Sequence, residues 1–284
     1  MTVPEGYPVP PPPQPMKAEP SVELDVLPPA EHSRWTVLIR LILLIPQAIA
    51  VWALGIAALV VVICGWLGAL FTGRLPEWCG DFLRGYTAYV TRVYGYGMLL
   101  VDAYPPFAWE APDYPVRVLF HPPTELNRLA VLFRLILAFP IMVLSIWFTS
   151  GWMVVSIIFW LIVLITGRMP QTVFEATSAV LRIQLRTGTY TYLLSPTYLK
   201  GVFGDGQPSP DPNMALPAQS PTRPLFVSSG ARILLIVILV IGILTSFAQS
   251  AGRSTNDDYD YDTVSSSQQI DSYQLSVWRQ TQRN

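Results

Sequence analysis

The 284-residue chain is 51% hydrophobic and only 13% charged, with a formal net charge of −1. Soluble domains carry about 25% charged residues, so this composition excludes an ordinary soluble globule. The near-neutral balance also excludes the basic face that a nucleic-acid partner needs.

Residues 1–20 are proline-rich, densest at Pro10 to Pro13, and are expected to form an extended, disordered tail. Ser21 to Leu27 alternates apolar Val22, Leu24 and Val26 with acidic Glu23 and Asp25, a strand signal ended by Pro28-Pro29. A helix is expected to open near Glu31 to Arg34, with Ser33 as N-cap.

Trp35 to Phe71 carries Arg40 as its one charge. A single helix of that length would measure about 55 Å, against about 30 Å of hydrocarbon. The preferred reading is a hairpin of two short helices turning near Ala53-Leu54-Gly55. The alternative is one long, tilted helix kinked at Pro46. Thr72-Gly73-Arg74-Leu75-Pro76 makes a polar exit. Trp78 to Val101 then reads as a less apolar helix, with Asp81, Arg84, Ala88 and Arg92 on one face; this suits an amphipathic helix in the membrane interface.

The same text then runs again, ungapped, 94 residues later. Arg34 recurs as Arg128, Arg40 as Arg134, Pro46 as Pro140, Trp66 as Trp160, Thr72-Gly73-Arg74 as Thr166-Gly167-Arg168, and Arg92 as Arg186. Apolar composition alone would not repeat arginine, proline and glycine. The strand returns at Pro115 to Phe120, and the stripe returns as Glu175, Ser178, Arg182 and Arg186. Phe148-Thr149-Ser150-Gly151 would turn the second hairpin. Two copies in one orientation need an even number of crossings each, related by an axis along the membrane normal. The two strands would then pair, with Glu23 and Arg117 at equivalent positions.

The expected fold is thus an all-α integral membrane protein. Residues 1–20 form a tail, 21–107 the first membrane repeat, 115–200 the second, 201–224 a linker, 225–248 a transmembrane helix, and 249–284 a polar, disordered tail. Counting positive charges near membrane ends places the N-terminus in the cytoplasm and, after five crossings, the C-terminus outside the cell membrane.

Arg-Leu-Ile-Leu-Leu-Ile-Pro (40–46), Leu-Phe-Thr-Gly-Arg-Leu-Pro (70–76) and Asp-Ala-Tyr-Pro-Pro-Phe (102–107) resemble the bacterial membrane family described as domain of unknown function 4389. Its members are common in actinobacteria and carry the unit singly or in tandem. The resemblance implies a membrane location and a fold family, but no reaction. It weakens at 195–198, where Ser-Pro-Thr-Tyr replaces Asp-Ala-Tyr-Pro.

Six arginines are candidate contacts for lipid phosphates or other anions: the matched pairs Arg40 and Arg134, Arg74 and Arg168, and Arg92 and Arg186. Each has a structural reading as well: snorkelling for the first pair, helix C-capping for the second, a headgroup-facing surface for the third. Cys64 and Cys79 have no metal or disulfide spacing. His32 and His121 stand alone, and no catalytic motif is present, so no catalytic residue, metal or cofactor is expected. The expected role is a non-enzymatic accessory or scaffold subunit of a cell-envelope complex, with membrane lipids and other membrane subunits as partners. The alternative is lipid or small-molecule handling at the interface between the repeats.

Overall fold

The computed structural model describes residues 22–29, 31–120, 126–199, 201–205 and 220–250. The proline-rich tail, His121, most of the linker and the C-terminal tail fall outside the described residues. The described part is mostly helical, with β1 at Glu23–Val26, α1 at Arg34–Thr72, α2 at Glu77–Gly97, β2 at Val116–Leu119, α3 at Arg128–Leu132, α4 at Arg134–Thr166 and α5 at Gln171–Thr191. A last helix, α6, spans Ser229–Ser250.

Neither expected hairpin forms. Ala53-Leu54-Gly55 and Phe148 to Gly151 are both helical, inside continuous helices of 39 and 33 residues that also contain Pro46 and Pro140. A backbone among apolar side chains keeps its hydrogen bonds within the helix, and nothing at either position forces a break. α2 runs back along α1 instead: Gly65 meets Cys79 near one end, Ala58 packs with Leu83 and Tyr86 in the middle, and Gly97 meets Leu44 near the other. Among the described residues, three helices, in place of the five expected crossings, are long and apolar enough to cross a membrane: α1, α4 and α6.

Glycine stops α1 and α4 at the Thr-Gly-Arg exits. Gly73 (φ 77°) and Gly167 (φ 72°) adopt the left-handed conformation and donate their N–H groups back to Ala69 and Val163, an αL termination. α2 and α5 end differently, on Leu99 and Leu193, each at φ 64°. There Leu100 N–H reaches back to Gly95 O at 3.0 Å, and Leu194 N–H to Thr189 O at 2.9 Å.

The repeats exchange contacts reciprocally. Trp66 Nε1 donates to Val131 O and Trp160 Nε1 donates to Val37 O, each at 2.8 Å. Leu126 N–H reaches Gly73 O at 2.9 Å, and His32 N–H reaches Gly167 O at 2.8 Å. Each bond is the other's image under the 94-residue offset, so a pseudo-two-fold axis relates the copies. It passes through the two-stranded antiparallel sheet, where Leu24 faces Val118, its own equivalent. The same contacts lay the end of α1 beside the start of α4, and the start of α1 beside the end of α4. The two long helices are antiparallel.

Three layers result: the sheet, then α2 with α5, then α1 with α4. Leu24, Val26 and Val116 face inward and join Tyr96, Leu181 and Leu185 in the main core. α2 and α5 are thus middle-layer helices. Most of α5 is buried, including Ser178 and Arg182, which corrects the expected interfacial position: the loop 201–205 and β1 cover the stripe.

Candidate functional site

The left-handed leucine that ends each middle helix turns the chain sharply, aiming carbonyls at the arginine on the neighbouring long helix. Arg40 is buried. It donates to Tyr96 O at 2.6 Å, Val101 O at 3.1 Å and Asp102 Oδ1 at 2.8 Å, and its guanidinium lies 4.3 Å from the Tyr96 ring centroid. Arg134 repeats this design. It donates to Tyr190 O at 2.7 Å and to Ser195 O, and stacks 3.9 Å from the Tyr190 ring centroid. Pro196 stands where the first copy has Asp102, so this arginine meets carbonyls and a ring but no carboxylate.

Around Asp102 the first copy builds a polar knot. Its carboxylate accepts from Thr36 Oγ1 at 2.6 Å and from Ser33 N–H at 3.1 Å, and His32 Nδ1 lies 3.8 Å away. Burial holds His32 below its ordinary value and Arg40 adds to this, while Asp102 opposes them. The folded state therefore resists protonating His32, whereas the unfolded chain accepts the proton at about pH 6.5. Stability should fall as pH drops below about 6.5, and level off once the lower folded value is passed. Melting temperatures from pH 7.5 to 5.5 would read this, and His32→Gln should flatten the slope; identical slopes would refute it.

Gln47 adds a second buried cluster, donating to Pro105 O at 2.8 Å and accepting from the Tyr89 hydroxyl. Its equivalent in the second copy is Ile141, and the cluster is not repeated.

Arg92 clamps the carbonyls of Ala108 and Trp109. Arg186 lies 3.4 Å from Val22 O and 3.8 Å from Asp205; burial, with Arg182 beside it, pushes it down to about 10, still cationic at neutral pH. Arg182 pairs with Asp205 at 2.6 Å and donates to Gly201 O at 2.8 Å. Arg74 is exposed at the α1 exit, and Arg168, at the α4 exit, pairs with Glu31 at 2.5 Å.

The six candidate arginines do not converge. Two staple helix ends, two fix loops, and two lie at exits. Sequence reasoning missed Asp102, although it lies in a quoted motif and disappears from the second copy. It also missed Asp205, which only a fold brings to Arg182.

Residues 34–108 and 128–198, about half of the chain, match the family described as Domain of unknown function (DUF4389). The chain belongs to the DUF4389 family. It carries the DUF4389 unit as a tandem duplication, and the two matches share the 94-residue offset and the Arg–Tyr staple. No curated protein and no solved structure matches the chain.

Among the described residues, no three His, Cys, Asp or Glu side chains gather as a metal site would need. Large cavities accompany the DUF4389 units. One of about 740 Å³ lies between α2 and β2. Another, apolar and about 760 Å³, lies between α1, α2 and α4 and is walled by Trp52, Trp152 and Trp160.

Proposed function

We propose that the chain is a non-enzymatic scaffold subunit of a membrane complex, seated in the cell membrane by its long helices. The observation that supports it is the use of Arg40, Arg92, Arg134 and Arg182, which bind their own chain's carbonyls and carboxylates. Side chains so placed build a rigid frame rather than a reactive centre.

The same reading includes a seating. α1 and α4 are antiparallel and exchanged by the pseudo-axis, so they run across that axis. At about 58 and 50 Å they far exceed the bilayer core. Stood upright, they would hold the sheet layer at mid-membrane, where Arg117 and Glu23 are 44% and 40% exposed at the side chain, even though each has an ion-pair partner. Charged groups at the bilayer centre are costly, about 3 kcal/mol for a lone one. Lying flat, α1 presents Leu41, Ile49, Ile56 and Phe71 to one leaflet and leaves the charged layer in water. α6, about 33 Å long, packs along α4, with Gly242 against Trp147, Gly151 against Ile238 and Gly230 beside Thr172 of α5; the N-terminus and the arginine-rich body are cytoplasmic.

Purification from native membranes with lipids retained should recover a stoichiometric partner, and a lone monomer would count against the scaffold. For the seating, cysteines placed at Arg34 and at Arg74 should react with an impermeant maleimide from the same side. Reaction from opposite sides would refute it.

A second reading, lipid handling between the repeats, is favoured by the apolar cavity between α1 and α4. Acyl chains co-purifying with the wild type and lost in a Ser156→Trp variant would support it.

A further inference from the structure

On one side of the pseudo-axis, the groove between the β1 edge, the α5 stripe and the loop 201–205 is filled. Its occupant is segment 222–228, which leaves the turn at Ser220 to Arg223 and runs on to α6. Thr222 Oγ1 accepts from Val26 N–H at 2.9 Å and donates to Leu24 O at 3.0 Å, so its hydroxyl satisfies the outer edge of β1. Arg223 pairs with Glu23 at 2.5 Å. Leu225 and Val227 are buried in the main core. Asp205 N–H donates to Leu225 O and Leu225 N–H donates to the Asp205 carboxylate, each at 2.9 Å, and Ser228 N–H meets Glu175 at 2.8 Å.

The 94-residue offset maps the walls of that groove onto a second groove, built from β2, the α2 stripe and the loop at Trp109. Val22, Leu24 and Val26 become Val116, Val118 and Phe120; Glu175 becomes Asp81; and the loop at Phe203 becomes the loop at Trp109. Here the groove is the cavity of about 740 Å³. The sheet has two strands, and the outer edge of β2 carries no further strand among the described residues. Free strand edges recruit extended chains through main-chain bonds, with pockets for alternate side chains.

We infer that this groove is a docking site for an extended segment of a partner polypeptide, which adds to the outer edge of β2 as segment 222–228 adds to β1. The walls state its chemistry. A hydroxyl would meet the Val118 and Phe120 backbone. The residue equivalent to Glu23 is Arg117, which pairs with Asp25 at 3.3 Å on one side and stays 44% exposed at the side chain on the other, so the partner carries an acid where this chain carries Arg223. Two apolar side chains follow, over Phe82, Ala88 and Trp109. Ala88 replaces Arg182 and Ala111 replaces Asp205, so the ion pair that tightens the filled groove is missing and the open one is left to an exchangeable occupant.

The inference rests on the scaffold reading and names the surface that would serve it. A titration reads the groove without any native partner, so its failure is separable from a failed pull-down. The probes are two fluorescent seven-residue peptides: segment 222–228 as it stands, and the same segment with Asp in place of Arg223. Anisotropy on the detergent-purified full chain should show the Asp peptide binding roughly three- to fivefold tighter, as a cross-strand charge pair provides. Arg117→Gln should erase that preference, and Ala88→Trp should abolish binding of both while leaving the melting temperature intact. A photo-crosslinker on the Asp peptide should mark α2 or β2. Absence of binding, an unchanged preference in Arg117→Gln, or crosslinks confined to α5, β1 or the loop 201–205 would overturn the inference. Binding that strengthens severalfold once residues 1–20 or 251–284 are deleted would overturn it too, by assigning the groove to the chain's own tail.

Discussion

Arg40→Ala is expected to be more damaging than Arg134→Ala, although the two arginines occupy the same place in the repeat. Removing Arg40 leaves two buried carbonyls and the Asp102 carboxylate without their partner. Stripping one side from a buried ion pair costs about 3–5 kcal/mol. Removing Arg134 strands only carbonyls, for about 1–3 kcal/mol. For a chain of this size the first change should lower the melting temperature by roughly 10 °C, the second by less than half of that. Asp102→Asn keeps the shape and removes the charge, so it should fall between them. Equal losses at Arg40 and Arg134 would show that the carboxylate contributes nothing.

Gly151→Leu is expected to separate α6 from α4. A Cβ at Gly151 would overlap the Ile238 carbonyl, and one at Gly242 would overlap the Trp147 carbonyl. Both obstacles are backbone, so neither can rotate away, and small residues let membrane helices approach this closely. Forcing a larger side chain in should cost at least about 3 kcal/mol. It should also expose segment 222–228, which leads into α6, to protease. Gly188→Ala is the control: its Cβ would meet only Tyr192 at 3.7 Å, and losing a mid-helix glycine should stabilise by about 0.5–1 kcal/mol. If Gly151→Leu behaved like Gly188→Ala, the close crossing of α4 and α6 would be wrong.

The duplication, the strand signals and the helix stops at Gly73 and Gly167 were legible in the sequence, because each rests on local chemistry or on repeated text. The pairing of β1 with β2 followed from the repeat alone. What failed was the path of α1. Length was weighed against bilayer thickness, and a hairpin solved that mismatch with turn residues too weak to interrupt a helix. Whether a long apolar helix stands upright or lies flat depends on what covers it, and the covering residues are distant in sequence. The arginines were found but misread. A charge within an apolar run signals either a ligand or an internal partner, and the partner carbonyls of Tyr96 and Val101 carry no side-chain signature. Leu99 and Leu193 were equally silent, since leucine is an unusual choice for a left-handed position.

The reciprocal tryptophan bonds carry a consequence for ancestry. A unit standing alone would leave each indole N–H and each matching carbonyl unsatisfied, and would recover them only by meeting a second copy of itself. Such a unit is expected to be a homodimer whose integrity depends on concentration. Joining both halves in one polypeptide removes that dependence and releases the halves from having to be identical. Asp102 facing Pro196, and an open groove facing a filled one, are the kind of specialisation that only a fused pair can acquire.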